Sequence, residues 1–254
     1  MNEFDKDFLS DLEEAETKFS GWDFSFISDT GRMRSGLTSW SYGSMATSLK
    51  RNAEALLDMG TGGGEFLSKL SPFPETVFAT EGYEPNLPIA KEKLEPLGVE
   101  VFTFEEDSDL PFDDNQFDLI LNQHESYSPM EVRRILRKDG IFLTQQVGGL
   151  YCLGINAALG LSGNTEYQEW NLDTSVQELS VSGFEVLFRK EEFPVQRFFD
   201  IGALVYYLKA IPWQAPDFSI HEHKQMLYEI HQTIQSTGFF DVKQHRFVIK
   251  ARAI

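Results

Sequence analysis

Between residues 54 and 147 the sequence alternates short apolar segments with amphipathic segments of helical period. The apolar segments are 54–59, 75–81, 99–104, 116–123 and 141–147, and the helical segments are 64–70, 86–98 and 128–140. Short strands that alternate with helices are typical of a parallel sheet covered by helices on both faces. The alternation therefore predicts an α/β fold.

The segment after Gly148 continues this pattern less regularly. Residues 174–192 predict a helix, a glycine turn and a sixth strand, and residues 239–252 predict a final strand. Two further helices are predicted between them, at 197–211 and 219–236. Because these helices allow the chain to reverse, we expect the last strand to lie antiparallel beside the sixth. The sequence thus predicts a Rossmann-like, seven-stranded, mostly parallel sheet.

A glycine-rich loop, LLDMGTGGGEF, directly follows the first predicted strand of this series. A dinucleotide site needs Gly-x-Gly-x-x-Gly, but Glu65 stands at the third glycine position, where its charge opposes a pyrophosphate. No Lys-Ser/Thr pair follows, which argues against a P-loop. The glycines instead alternate after Asp58, at Gly60, Gly62 and Gly64. A carboxylate and close backbone suit an ammonium and a neutral ribose, which favours S-adenosylmethionine.

This loop resembles the first motif of class I S-adenosylmethionine-dependent methyltransferases of the type 11 kind. The resemblance implies that Gly60, Thr61, Gly62 and Gly64 line the cofactor, beside Asp58. Glu81 ends the second strand, and an acid at that point can bind both ribose hydroxyls. By the same resemblance, Gly82 and Tyr83 lie against the adenine.

The stretch FEEDSDLPFDDNQFDLIL at 104–121 resembles the acidic turn of the same family. Aligned on its Leu-Pro-Phe, Glu106 matches the acid that faces the adenine amino group, and Asp107 is adjacent; either can accept that hydrogen bond. Asn122 is expected to contact the cofactor or to shape the strand end. The resemblance covers about residues 54–147.

The catalytic candidates lie in the loop after the fourth strand, since ligands of open α/β sheets bind at the carboxyl ends of the strands. His124 is the first candidate base, because an ordinary imidazole titrates near pH 6.5. Glu125 is expected to orient His124 or to act in its place. Tyr127 is a candidate pocket residue, and Gln145 and Gln146 are candidate substrate-binding groups at the end of the fifth strand.

Composition limits the partners of the chain. The net charge is −18, and hydrophobic residues make up 41% of the chain. Because nucleic-acid binding relies on clustered Lys and Arg, this charge argues against RNA or DNA. No apolar stretch approaches the length of a membrane span, and the N-terminus lacks a signal pattern, so a cytoplasmic protein is expected. Cys152 is the only cysteine, and no metal site is predicted.

The C-terminal part, from LVYYLKAIPWQAPDF at 204–218, is similar to the end of bacterial ribosomal-RNA guanine methyltransferases. Those enzymes carry a four-cysteine zinc module, which this chain lacks. We therefore expect methyl transfer to a small molecule. The alternatives are an RNA methyltransferase and a protein that binds S-adenosylmethionine without catalysis. The sequence leaves the oligomeric state open.

Two parts are predicted outside the central sheet. Residues 1–50 are expected to form an N-terminal helix and an arm or lid, whose aromatic residues Trp22, Phe24, Trp40 and Tyr42 are candidates to close over the site. Residues 51–254 are expected to form the methyltransferase domain, with 150–172 and 195–237 as a helical substrate cap inserted in it.

Overall fold

The structure is a computed structural model that describes residues 4–17, 24–163 and 165–254. Trp22 of the predicted arm lies outside these residues. The chain divides into two compact units, each assembled from three stretches. Unit 1 comprises residues 1–38, 149–169 and 192–245, and unit 2 comprises residues 39–148, 170–191 and 246–254.

The strands and helices are numbered in chain order. The strands are β1 (Met33–Ser35), β2 (Ala55–Met59), β3 (Thr76–Thr80), β4 (Glu100–Phe102), β5 (Phe117–Gln123), β6 (Leu136–Val147), β7 (Phe184–Glu192), β8 (Val195–Phe198), β9 (Phe240–Lys243) and β10 (Arg246–Ala253). The α-helices are α1 (Lys6–Glu14), α2 (Ser25–Ser28), α3 (Tyr42–Lys50), α4 (Glu65–Ser68), α5 (Leu87–Leu94), α6 (Pro129–Ile135), α7 (Leu153–Leu159), α8 (Leu172–Val181), α9 (Ile201–Ala210) and α10 (Lys224–Thr237). Short 3-10 helices cover Glu95–Leu97 and Pro212–Gln214.

Unit 2 contains a seven-stranded sheet with the order β4-β3-β2-β5-β6-β10-β7. Strands β4, β3, β2, β5 and β6 pair in parallel, and β10 pairs antiparallel with β6. The last strand lies beside the sixth strand of the sheet, β7, as the sequence predicted. The predicted fold class is therefore confirmed.

Strand β2 lies in the interior of this sheet because its side chains can be buried on both faces. All five of its residues are buried, including Leu56 and Leu57. The Asp118 carboxylate on β5 accepts the backbone N–H groups of Glu54 and Ala55, at 2.9 and 3.0 Å. These bonds align the start of β2 with the start of β5.

The parallel register brings the polar strand ends to one edge of the sheet. Asp58 pairs with Ala79 of β3 and Leu121 of β5, and Asn122 pairs with Thr144 of β6. The carboxyl ends of β2, β3, β5 and β6 therefore lie side by side, and the candidate site is built on them.

Unit 1 has a hydrophobic core of its own. Its antiparallel sheet has the order β1-β8-β9, and helix α9 is apolar on all sides, which suits a buried position. Asp200 caps α9 by accepting the Ala203 N–H at 2.7 Å. The Arg32 guanidinium donates to both carboxylate oxygens of Asp200, at 2.9 and 2.7 Å. This bidentate pair links the segment before β1 to the start of α9. No helix in the described part of the chain is long and apolar enough to cross a membrane.

The structure corrects three sequence predictions about secondary structure. The helix predicted to reach residue 140 ends at Ile135, because Leu136 joins β6 opposite Phe117 and Asp139 has a left-handed φ of 64°. The single strand predicted at 239–252 is two strands, β9 and β10, which belong to different sheets. The segment predicted as a loop-rich arm contributes β1 to the small sheet, where it pairs with β8.

Candidate functional site

The glycine loop between β2 and α4 requires its glycines. Gly60, Gly62 and Gly64 have φ values of 64°, 62° and 78°, in the left-handed region that residues with a Cβ adopt only at a cost. The Gly60 N–H donates to Thr80 Oγ1 at 3.3 Å, and the Thr61 N–H donates to the Thr80 carbonyl at 2.9 Å. The loop is thereby tied to the end of β3.

Asp58 is a buried carboxyl group at the end of β2, with 4% of its surface exposed. Burial raises its pKa to about 7, and the charge of Glu81 adds to the increase. The described part of the chain offers Asp58 no Lys or Arg partner within ion-pair distance. A buried carboxyl group without a cation suits a ligand that brings an ammonium.

Glu81 lies beside this loop at the end of β3. Its Oε1 accepts the Tyr83 N–H at 2.7 Å. Burial raises the pKa of Glu81, whereas hydrogen bonds from the Tyr83 and Gly62 backbones lower it. A Cβ added to Gly82 would lie 3.3 Å from the Phe104 ring, whereas Tyr83 is 56% exposed. Glu81 is thus held by local backbone donors.

The two candidate residues of the acidic turn after β4 differ in their exposure to solvent. Glu106 is exposed, and its carboxylate accepts a hydrogen bond from Ser108 Oγ at 3.3 Å. Asp107 is half-buried, and its charge acts on the carboxyl group of Glu125. Of the two acids, Asp107 is therefore the one that faces the other carboxyl groups of the site.

The position of this turn is set by helix α6. Glu131 Oε1 accepts the Leu110 N–H at 2.8 Å, and the Arg134 guanidinium donates to the Phe112 carbonyl at 2.8 Å. Arg134 also donates to both oxygens of Glu131. The side chains of one short helix therefore fix the loop that carries Asp107.

Glu125 follows β5 and packs directly against the glycine loop. A Cβ added to Gly60 would lie 2.5 Å from the Cβ and Cγ atoms of Glu125. Burial, followed by the charges of Asp107 and Glu81, raises the pKa of Glu125 to about 7. The carboxyl group can therefore exchange a proton near neutral pH.

His124 has a left-handed backbone, with φ of 66°, and donors face both of its ring nitrogens. Trp40 Nε1 donates to Gln145 Oε1 at 2.7 Å, so the Gln145 amide nitrogen faces His124 Nε2, at 2.9 Å. The Arg246 guanidinium lies 3.2 and 3.3 Å from the two ring nitrogens. This arrangement favours a neutral imidazole.

His124 is solvent-exposed, and its ring nitrogens contact Gln145 and Arg246. The pKa of His124 is lowered to about 3, mainly by loss of hydration and to a smaller extent by the charge of Arg246. The sequence argument for His124 as a base relied on an ordinary imidazole pKa near 6.5. In the structure the Arg246 guanidinium beside the ring disfavours a charged imidazole, so the ordinary pKa does not apply to His124.

A buried polar network joins the ends of β5 and β6. Asn122 Oδ1 accepts hydrogen bonds from Thr144 Oγ1 at 2.8 Å and from Gln146 Nε2 at 2.7 Å. Gln146 Nε2 also donates to the Glu125 carbonyl, at 2.9 Å. Asn122 Nδ2 is buried and has no partner among the described residues. The network therefore supports the backbone of the loop that carries Glu125.

The structure thus gathers most of the predicted site residues along one edge of the large sheet. Sequence reasoning missed Thr80, Thr144 and Arg246. Thr80 and Thr144 could have been found from the sequence, since each is a polar residue near the carboxyl end of an apolar strand. In a parallel sheet the carboxyl ends of neighbouring strands lie side by side. Nothing local marks Arg246, which reaches His124 from a strand 122 positions later.

The comparisons with known proteins match the part of the chain that carries the candidate site. Residues 57–144 match the family model described as "Methyltransferase domain". This segment starts in β2 and ends in β6, so it spans the glycine loop, Glu81, the acidic turn and Glu125. No curated protein matches the sequence.

Solved structures show the same fold. A provisionally assigned methyltransferase from Bacillus halodurans C-125 is 20% identical, with a TM-score of 0.58, over 83% of this chain and 96% of that one. The YcgJ protein of Bacillus subtilis is 14% identical, with a TM-score of 0.58, over 84% and 97%. A SAM-dependent methyltransferase from Aquifex aeolicus is 16% identical, with a TM-score of 0.51, over 91% and 94%. Residues 57–144 therefore match a methyltransferase domain, in a fold shared with a SAM-dependent methyltransferase, and this match implies S-adenosylmethionine as the cofactor.

Proposed function

We propose that the protein transfers a methyl group to a small-molecule acceptor and that Glu125 receives the proton of the acceptor. The observation that carries this proposal is the position of the Glu125 carboxyl group, against Gly60 and near Asp107 and Glu81. With a pKa of about 7, it can be deprotonated before the reaction and protonated after it.

The cofactor is assigned to the glycine loop and the acids around it. When bound, S-adenosylmethionine supplies a methyl group activated by its sulfonium sulfur. In this proposal Asp58 binds the ammonium and Glu81 binds the ribose hydroxyls. The backbones of Gly60, Thr61, Gly62 and Gly64 line the cofactor, as do Gly82 and Tyr83. Asp107 is favoured over Glu106 for the adenine amino group, because Asp107 faces the site.

His124 is assigned a positioning role. Its neutral ring is held between Gln145 and Arg246, so it can orient the loop or an acceptor without taking a full proton. Asn122 supports the same loop through Gln146, which is bonded to the Glu125 carbonyl.

The charge of the site supports a small acceptor over RNA. Asp58, Glu81, Asp107 and Glu125 lie close enough for their charges to interact, and the chain carries a net charge of −18. Carboxylates repel a phosphate backbone, whereas they tolerate a neutral or cationic acceptor.

The first test measures cofactor binding by calorimetric titration with S-adenosylhomocysteine. We expect Asp58→Ala and Glu81→Ala to weaken binding about tenfold or more, because each removes a charge-assisted hydrogen bond. Glu125→Gln is expected to bind within about threefold of the wild type. Unchanged binding by Asp58→Ala would remove the proposed ammonium site.

The second test follows labelled methyl groups from S-adenosylmethionine into a cell extract separated into small molecules and RNA. We expect label in the small-molecule fraction, reduced about 100-fold or more by Glu125→Gln, since general-base catalysis contributes on that scale. Glu92→Gln on the exposed side of α5 is the control and is expected to keep full activity. His124→Ala is expected to lose less than Glu125→Gln.

Three outcomes would contradict the proposal. Label in RNA would refute the small acceptor, and full activity of Glu125→Gln would refute the base. Binding of S-adenosylhomocysteine with no transfer to any fraction would favour a protein that binds the cofactor without catalysis.

A further inference from the structure

Strand β7 forms an edge of the seven-stranded sheet, and its middle part is open to solvent. Leu187 is 42% exposed and Phe188 is 38% exposed. A shallow groove of about 510 Å³ follows the strand, lined by Val186, Leu187, Phe188 and Arg189. Successive residues of a strand point to opposite faces of a sheet. Because all four consecutive residues line the groove, it runs along the open edge of the strand and not over one face.

The other edge of the same sheet is different. Strand β4 has three residues, and the exposed residue at its start is the acid Glu100. Short, charged edge strands resist pairing with other chains, whereas long apolar ones invite it. Strand β7 has nine residues and an exposed apolar centre.

We propose that β7 pairs antiparallel with β7 of a second copy of this chain, across a two-fold axis through Leu187. In this register Leu187 faces its own copy, Val186 faces Phe188, and Glu185 faces Arg189. Each apolar residue thus meets an apolar residue, and each charge meets an opposite charge, at both ends of the segment. Cross-strand pairs of these kinds stabilise antiparallel sheets.

The charge pattern favours a second copy over an unrelated partner. A two-fold interface must be complementary to itself, because residue i contacts residue j and j contacts i. The segment from Glu185 to Arg189 meets this condition when the two-fold axis passes through Leu187. Within the chain Glu185 also pairs with Arg252, and Arg189 lies 3.8 Å from Asp173. The second of these contacts is solvent-exposed and leaves Arg189 able to turn toward a partner strand.

Sedimentation equilibrium of the full chain tests the pairing, at about 150 mM salt so that long-range repulsion is screened. We expect a reversible dimer with a dissociation constant of roughly 1–100 μM, since one edge strand buries less than a standard interface. Leu187→Lys would place two lysines opposite each other across the axis, and this repulsion is expected to weaken the dimer about tenfold or more. Arg189→Glu is expected to weaken it similarly, by facing Glu185.

A mixture of two variants gives the sharpest test. Arg189→Glu and Glu185→Arg each place like charges together in their own dimers. When they are mixed, every 185–189 contact again joins opposite charges, so heterodimers are expected to form with close to wild-type affinity. Glu100→Arg on β4 is the control and is expected to leave dimerisation unchanged. Thermal melting verifies that each variant folds.

The result that would overturn the inference is a wild-type chain that stays monomeric at every concentration up to about 500 μM, roughly five times the upper end of the expected range. A dimer that persists unchanged in both Leu187→Lys and Arg189→Glu would also overturn it, because the copies would then meet at another surface.

Discussion

At the scale of single residues, the site depends on carboxyl groups held out of water. Asp58 is buried at the end of β2, and the pKa of its carboxyl group is raised from 3.8 to about 7. The folded protein therefore holds this proton more tightly than the unfolded chain does. Stability contributed by Asp58 is fully present below pH 3.8 and is lost as the pH rises toward 7.

The first prediction concerns this pH dependence. Between pH 5 and pH 8 the wild type should lose about 1–3 kcal/mol more unfolding free energy than Asp58→Asn, because the amide has no proton to release. Urea denaturation of both proteins at the two pH values measures the difference. Equal losses in the two proteins would mean that Asp58 ionises in the folded state as readily as in water.

Gly60 supports the second prediction, since its missing Cβ makes room for Glu125. Gly60→Ala would place a methyl group 2.5 Å from Glu125 carbon atoms and would strain a backbone with φ of 64°. We expect a loss of about 1–2 kcal/mol in stability. We also expect about tenfold weaker binding of S-adenosylhomocysteine as the loop shifts.

Gly98→Ala is the matched control for this prediction. Gly98 has φ of 84°, but a Cβ there would meet no atom within 4 Å. The control therefore carries the backbone strain without the collision, and it should lose stability while keeping cofactor affinity. Equal loss of affinity in both variants would contradict a specific role for the contact between Gly60 and Glu125.

At the scale of elements, the site is held by the ends of neighbouring strands. Asn122 at the end of β5 accepts hydrogen bonds from Thr144 and Gln146 of β6, and Gln146 also binds the Glu125 carbonyl. Parallel pairing of β5 with β6 places these groups opposite each other. The sheet register therefore determines where the loop with Glu125 begins.

The third prediction removes the shared donor of this network. Gln146→Leu leaves the half-buried Glu125 carbonyl without that donor and takes one of two partners from the buried Asn122 Oδ1. The expected cost is about 1–3 kcal/mol, because buried acceptors lose their hydrogen bonds. Thermal and urea denaturation measure this cost. Gln235→Leu on the exposed side of α10 is the control, with an expected change within about 0.5 kcal/mol. Equal effects of the two substitutions would contradict the network.

At the scale of the whole molecule, charge decides which partners can approach. The net charge is −18, so a polyanion meets repulsion wherever local cations do not offset it. For the proposed function, this repulsion favours a small acceptor over RNA, independently of any single residue.

The fourth prediction is that the protein does not retain RNA. In filter binding at about 150 mM salt, we expect a dissociation constant weaker than about 10⁻⁴ M for structured RNA, the weak limit of non-specific binding. Adding S-adenosylhomocysteine is expected to leave the dissociation constant for RNA unchanged. Micromolar, salt-sensitive binding would contradict the prediction and would support the RNA alternative.

The sequence by itself determined the large sheet and predicted that the cofactor binds at the carboxyl ends of its strands. The alternation of strands and helices is a local property, and it predicted the α/β fold and the antiparallel last strand. The glycine loop and the acid at Glu81 are likewise local, because a strand-to-helix turn with left-handed residues needs glycine wherever it occurs.

Only the tertiary structure decided the properties that depend on residues far apart in the chain. Strand β1 is three residues long and pairs with β8 about 160 positions later, so no local pattern marks it. Asp107 rather than Glu106 faces Glu125, and Arg246 rather than a neighbour in sequence lies beside His124. The pKa of a carboxyl or imidazole group is set by burial and nearby charges. For this reason the proposal of Glu125 rather than His124 as the base rests on the folded chain.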